Sequence, residues 1–256
     1  MPIISAAGIE TSVIPTAVLS THTGGFTGFT FRDLTDDILP VSEHWKKENI
    51  SVDAVYTGYL GSKEQIAIVK DAIKIIKKKD GITVVDPVMA DNGVLYGGFP
   101  EDFPMEMKKL CADADIITPN ITEAAFMLGV PYVKGPYTKE YIEDMVNKLS
   151  KITSGKVVLT GVWFTRDKMG AATFENGKID YIFSPYVDAA YHGTGDVFTS
   201  TLVCGLLNGK NLKNSAQIAS DFTAGCIKRT KENHPEMKYG VNFEAEIPNL
   251  IKYLDL

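Results

Sequence analysis

Three short apolar runs in this chain each stop at a residue that ends a strand, and each delivers a polar side chain to the stopping point. Ile82-Thr83-Val84-Val85 halts at Asp86-Pro87, Asp115-Ile116-Ile117-Thr118 at Pro119-Asn120, and Lys156-Val157-Val158-Leu159-Thr160 at Gly161. Proline has no amide for the next rung of a sheet, so strands close there. Amphipathic stretches separate the runs, and that alternation specifies an α/β protein with a largely parallel sheet. In open sheets of this kind ligands bind beyond the carboxyl ends of the strands. Asp86, Thr118, Asn120, Thr160 and Gly161 are therefore expected along a functional edge.

The remaining pattern fits the same plan. Val13-Ile14 and Ala17-Val18-Leu19 read as a strand around a proline, and Val52 to Thr57 as another. Between them Thr21 to Thr30 is a glycine-rich loop long enough to be functional, followed by a polar-faced helix to about Asn49. From Ser62 to Lys79 the residues Ile66, Val69, Ile73 and Ile76 recur at helical spacing. Lys74, Lys77, Lys78 and Lys79 suit the helix's C-terminal end as a solvated face, and Gly81 suits a left-handed cap. Asn176-Gly177, between Gly170–Phe174 and Lys178–Phe183, signals a hairpin. Helices are expected from Thr194 to Leu207, Leu212 to Glu232 and Phe243 to Tyr253. Without a repeat or linker, residues 1–256 read as a single domain.

Composition excludes several classes. With 26 Lys+Arg against 32 Asp+Glu the formal charge is −6, which lacks the basic footprint of a nucleic-acid binder. A chain of 256 residues buries enough surface to fold without disulfides or structural metal. Its three cysteines, Cys111, Cys204 and Cys226, read as buried thiols in a reducing compartment. Met1 to Gly8 lacks the basic start and apolar stretch of a secretion signal, and no run approaches a membrane span, so a cytoplasmic location is expected.

The sharpest chemical feature is Tyr191-His192-Gly193-Thr194-Gly195-Asp196, which precedes an apolar helix. Such a turn exposes amides at a helix N-terminus, a ready anion site. Asp196 then reads either as a cap or as a base directed at a substrate hydroxyl beside bound phosphate. Neither GxxxxGK[ST] nor GxGxxG occurs, so P-loop and standard dinucleotide chemistry are unsupported. Asn120 with Glu123 also reads as a capping box, Asp86 as a turn, and His22 and His192 as structural residues.

Asp86-Pro87-Val88-Met89, Thr118-Pro119-Asn120 with Glu123, Thr57-Gly58-Tyr59-Leu60-Gly61-Ser62, and Gly193-Thr194-Gly195-Asp196 occur here in an order that resembles the ribokinase-like superfamily, most closely its pyridoxal (vitamin B6) kinase branch. The resemblance implies a ribokinase-like three-layer sandwich, a mostly parallel sheet flanked by helices. It also implies ATP-dependent phosphorylation of the hydroxymethyl group of pyridoxal, pyridoxine or pyridoxamine. By the same resemblance Asp196 matches the catalytic base, and Gly193, Thr194 and Gly195 the anion hole. Asp86, Asp91, Thr118, Asn120, Glu123, Thr160 and Gly161 match the ATP side. Asn120 and Glu123 organise Mg²⁺, directly or through water, a monovalent cation can accompany it, and Thr23, Gly24 and Tyr59 face the substrate ring. Asp91 to Gly98 is similar to a flap over ATP.

The resemblance further implies a homodimer, and one more strand, central in the sheet, ahead of residue 1. Pro2 to Ala7 is similar to the end of the helix that follows that strand, so the chain reads as lacking it. Two alternatives share these features: a hydroxymethylpyrimidine kinase of thiamine synthesis, and a non-catalytic vitamer- or nucleotide-binding relative.

Overall fold

A computed structural model of the chain describes residues 1–22, 26–237 and 239–256. In chain order the elements are α1 (Pro2–Ala6), β1 (Ala17–Leu19), β2 (Phe31–Asp33), α2 (Thr35–Lys47), β3 (Val52–Thr57), α3 (Lys63–Ile76) and β4 (Lys77–Val85). There follow β5 (Ala90–Asp91), β6 (Val94–Leu95), α4 (Phe103–Ala112), β7 (Ile116–Ile117), α5 (Ile121–Leu128) and α6 (Lys139–Leu149). The chain closes with β8 (Lys156–Val162), β9 (Lys168–Glu175), β10 (Lys178–Pro185), α7 (Thr194–Leu207), α8 (Leu212–Asn233), a 3-10 turn at Glu244–Glu246 and α9 (Ile247–Leu254).

Six strands form a mostly parallel sheet flanked by helices, in the order β10-β9-β8-β7-β4-β3. β3 with β4, β4 with β7 and β7 with β8 pair in parallel, whereas β9 and β10 form an antiparallel hairpin. Its register, Glu175 opposite Lys178, leaves Asn176-Gly177 as the two-residue turn, with φ of 53° and 77°. Positive φ at both positions is the geometry that Asn-Gly favours and that matches strand twist, as the sequence predicted.

Contacts divide the chain into two compact units. One, Ile14–Lys134 with Asp144–Leu159, buries Val84, Val85, Ile117 and Val157 of the strands and Met107, Leu110, Ala124 and Val146 of the helices. The other, Met1–Val13 with Gly135–Glu143 and Thr160–Leu256, buries Leu202, Val203 and Cys204 of α7 and Ala219 and Phe222 of α8. Each large apolar side chain so buried contributes about 1.5–3 kcal/mol. Among the described residues no helix is long and apolar enough to cross a membrane.

Four expectations are corrected. The helix predicted from Ser62 to Lys79 ends at Ile76, and Lys77 to Asp80 already belong to β4. Pairing of Val52 with Lys77, and a bulge between Val52 and Ala54, draws this segment into the sheet, where ladder bonds outweigh helix propensity. Gly81 is accordingly not left-handed; it lies where a Cβ would come within 2.9 Å of the Asp53 carbonyl. Val13-Ile14 forms no strand because Pro15 interrupts it, and β1 pairs with β2 in a separate ribbon. β8 continues through Gly161, whose φ is +74°, to Val162, so the glycine bends the strand without ending it. Helices α4 and α6 and the hairpin β5–β6 were not anticipated.

Candidate active site

The first cluster is built at the start of α5. β7 is only two residues long, and the Thr118 amide still donates to the Val85 carbonyl at 3.0 Å, which carries Pro119 and Asn120 directly off the sheet. The Asn120 side chain accepts the amides of Thr122 (2.8 Å) and Glu123 (2.9 Å), while Glu123 Oε2 accepts the Asn120 amide at 2.8 Å. This is a complete capping box, and it satisfies the orphan donors of the first turn. Asn120 Nδ2 donates to the Ala90 carbonyl at 2.8 Å, and Glu123 Oε1 accepts the Met89 amide at 3.2 Å.

Asp86 stands at the end of β4, its amide donating to the Thr57 carbonyl at 3.1 Å. Both Asp86 and Glu123 are buried. Burial, and then the neighbouring charge of Asp86, hold the Glu123 carboxyl well above the usual carboxylate range, partly offset by the amides it accepts. Two buried carboxylates beside an amide oxygen are a hard-oxygen environment of the kind magnesium prefers. Yet both Glu123 oxygens and Asn120 Oδ1 already accept backbone amides. A cation, held directly or through water, would therefore have to use the lone pairs that the cap leaves over. Among the described residues no group of three or more His, Cys, Asp and Glu side chains is arranged to hold a metal.

Asp91 is exposed and begins the turn of β5–β6; its oxygens accept the Asn92 amide (2.8 Å) and side chain (3.0 Å). Tyr59 is half-buried, 5.8 Å from the Phe99 ring, and its carbonyl accepts the Thr16 hydroxyl at 3.1 Å. Burial and the charge of Asp33 push its phenol up. Thr23 and Gly24 lie outside the described residues.

The second cluster is the start of α7. Gly193 takes the N-cap with φ +78°, a conformation that glycine adopts without strain, and no side chain caps the helix. The first rung is the Val197 amide to the Gly193 carbonyl at 3.0 Å, so the amides of Thr194, Gly195 and Asp196 precede the ladder. A Cβ at Gly195 would meet nothing within 4 Å, so the space beside this residue is open. Thr194 turns its hydroxyl back to the Tyr191 carbonyl at 3.3 Å. Asp196 keeps an exposed face, but surrounding protein crowds the carboxyl group and raises its pKa from 3.8. The turn thus presents bare amide donors and a carboxylate of enhanced basicity within four residues. Thr160 and Gly161 sit half-buried on β8.

The structure therefore gathers Asp86, Asn120 and Glu123 into one cluster and Gly193 to Asp196 into another. Sequence reasoning missed Thr122, whose hydroxyl accepts the Gly93 amide at 3.1 Å, and Gln65, a buried side chain that accepts the Gly61 amide at 2.7 Å and donates to the Thr16 carbonyl at 2.8 Å. Asn92-Gly93 carries the same hairpin signal as Asn176-Gly177 and could have revealed β5–β6.

A phosphomethylpyrimidine kinase family model matches residues 3–242. A Bacteroides thetaiotaomicron structure assigned to phosphomethylpyrimidine kinases and obtained with pyridoxal is 38% identical with a TM-score of 0.90, covering 97% of this chain and 88% of that one. Pyridoxal kinase from Lactobacillus plantarum is 27% identical with a TM-score of 0.89, covering 98% and 89%. Pyridoxine kinase from Bacillus subtilis is 28% identical over 186 residues, 72% of this chain and 66% of that protein. The chain spans 60% to 66% of the length of the curated relatives it matches in Caenorhabditis elegans and Bacillus subtilis.

Proposed function

Because the chain belongs to the phosphomethylpyrimidine kinase family, we propose that it is a kinase that transfers the terminal phosphoryl group of ATP to the hydroxymethyl group of pyridoxal, pyridoxine or pyridoxamine, with residues 1–256 as its kinase domain. One observation carries this reading: Asp196 stands in the first turn of α7 directly after a glycine N-cap whose following amides have no side-chain cap. Its carboxylate orients the hydroxyl and takes its proton as the oxygen bonds to phosphorus and ADP departs. Phosphoryl transfer has a loose transition state in which the proton leaves late, so a carboxylate of modestly raised basicity is sufficient. The amides of Thr194, Gly195 and Asp196 and the helix dipole hold the phosphoryl oxygens.

Asp86, Asp91, Thr118, Asn120, Glu123, Thr160 and Gly161 serve the nucleotide, and Thr23, Gly24 and Tyr59 the ring. Magnesium, when bound, would neutralise charge on the ATP phosphates; Asn120 and Glu123 would hold it, directly or through its waters, and a monovalent cation is a further requirement to test. The pyridoxal-containing relative and the pyridoxine and pyridoxal kinases support this choice of substrate. We further place the enzyme in the cytoplasm, as three unpaired buried thiols suggest, and as a homodimer, which sedimentation would check.

Asp196→Asn tests the mechanism. Turnover with pyridoxal, ATP and magnesium is expected to fall by about 10²–10⁴, the range for losing a general base. Unchanged turnover would refute the role given to Asp196. The family's description favours a second reading, kinase activity on a hydroxymethylpyrimidine or its phosphate. Parallel turnover of the pyridine and pyrimidine substrates separates the two, and binding of vitamer without any ADP release would indicate a non-catalytic relative.

A further inference from the structure

Hairpin β5–β6 has two residues in each strand, Asp91 facing Val94 and Ala90 facing Leu95. A ribbon that short is marginal in water, so contacts outside it must hold it. Its base is held by the capping box, through Asn120 on the Ala90 carbonyl and Glu123 on the Met89 amide. The tip is held differently. Asn92 and Gly93 have φ of 50° and 80°, and the Gly93 amide donates to the Thr122 hydroxyl at 3.1 Å. The Tyr132 ring covers the same residue so closely that a Cβ on Gly93 would fall 2.7 Å from Cδ1.

Thr122 sits between the two capping residues and is buried, yet the box uses only its amide, which goes to Asn120 Oδ1. Its side chain is not used by the cap, and its hydroxyl takes the Gly93 amide at the hairpin tip. We infer that Thr122 and Tyr132 are positioning residues that pin the tip of β5–β6 and so preorganise this hairpin for the nucleotide. The inference rests on the kinase reading, in which Asp91 and the segment to Gly98 lie on the ATP side. A hairpin already ordered costs the nucleotide nothing to order on binding, which appears as affinity.

Thr122→Val keeps the shape of the side chain and removes the acceptor, and Thr122→Ser restores it. The valine variant is expected to exchange backbone amides of residues 91–96 faster, and to raise KM for ATP about tenfold, as for loss of one buried hydrogen bond, with a smaller change in kcat. Serine should recover both, and Tyr132→Ala should repeat the valine phenotype. Unchanged exchange in both variants would overturn the anchor. Faster exchange with unchanged KM, or kcat and melting temperature falling together without a KM effect, would overturn its bearing on the nucleotide. If the unaltered chain turns over no substrate, the kinase reading fails on its own, and exchange together with calorimetric ADP affinity of the same variants still decides this proposal.

Discussion

Asn120 and Glu123 each hold the other's backbone amide, the Glu123 carboxylate accepting at 2.8 Å and the Asn120 carboxamide at 2.9 Å. The pair therefore closes the N-terminus of α5 with the same oxygens that a direct metal site would need. A cation, or a water bound to it, would have to share these oxygens with the amides they already accept. The box also stiffens the segment that follows Asp86, because Asn120 and Glu123 both extend to the strand-hairpin connection at Met89 and Ala90.

Asn120→Ala should destabilise the protein by about 1–2 kcal/mol, the usual value of an N-cap, with the Ala90 carbonyl losing its partner as well. In a chain of this size each kcal/mol shifts the melting temperature by about 2–4 °C. Asn120→Ser should recover the cap but not the Ala90 bond, giving an intermediate melting temperature. Identical melting curves for the alanine variant and the unaltered chain would show that the cap carries no stability.

Gly195→Ala separates folding from function. The residue lies in the first turn of α7 with nothing within 4 Å of an added Cβ, so alanine fits and is neutral or stabilising by about 0.5–1 kcal/mol. The same methyl group would add bulk to the turn proposed to hold the phosphoryl oxygens. Turnover is expected to fall by at least tenfold while the melting temperature holds or rises, measured on one preparation. Full turnover would mean that phosphate does not approach this turn.

The pH profile should carry the signature of Asp196. Crowding raises its pKa above 3.8, so the acid limb of kcat/KM should lie above that of an ordinary aspartate, activity falling as the proton returns. The stability sign follows from the same shift. The folded state keeps this proton at a pH where the unfolded chain has lost it, so the contribution to stability is fully present below 3.8 and is lost as pH rises through the raised folded pKa. Asp196→Asn should accordingly melt higher than the unaltered chain at neutral pH, with the gap closing in acid. An acid limb at or below 3.8 would contradict the crowding.

All three thiols are buried and unpaired. Burial pushes Cys204 and Cys226 up to about 12 and raises Cys111 further still. The thiolate is the reactive form, so iodoacetamide at pH 8 should leave the native protein unmodified and label three sites after denaturation, as read by mass spectrometry. Fast labelling of any one cysteine in the native state would place it in a region that opens.

Local sequence determined where β3 and β4 end, through Gly58 and Asp86-Pro87, and where α7 and α8 lie, because turn chemistry and side-chain spacing of about 3.6 residues are properties of adjacent residues. The turn at Asn176-Gly177, helix α7 from Thr194 and the cap at Asn120 were all readable for the same reason: each is written in adjacent residues. Lys77 to Lys79 were misread because the segment pairs through Lys77 with Val52, 25 positions earlier, and no local pattern records a strand waiting there. Thr122 and Gln65 escaped notice on the same ground, since their partners, Gly93 for one and Thr16 with Gly61 for the other, become neighbours only when the chain folds. The raised pKa values of Glu123 and Asp196 likewise belong to the fold alone, for they arise from burial and, at Glu123, from the Asp86 charge brought close in space, whereas the carboxylates themselves were visible from the start.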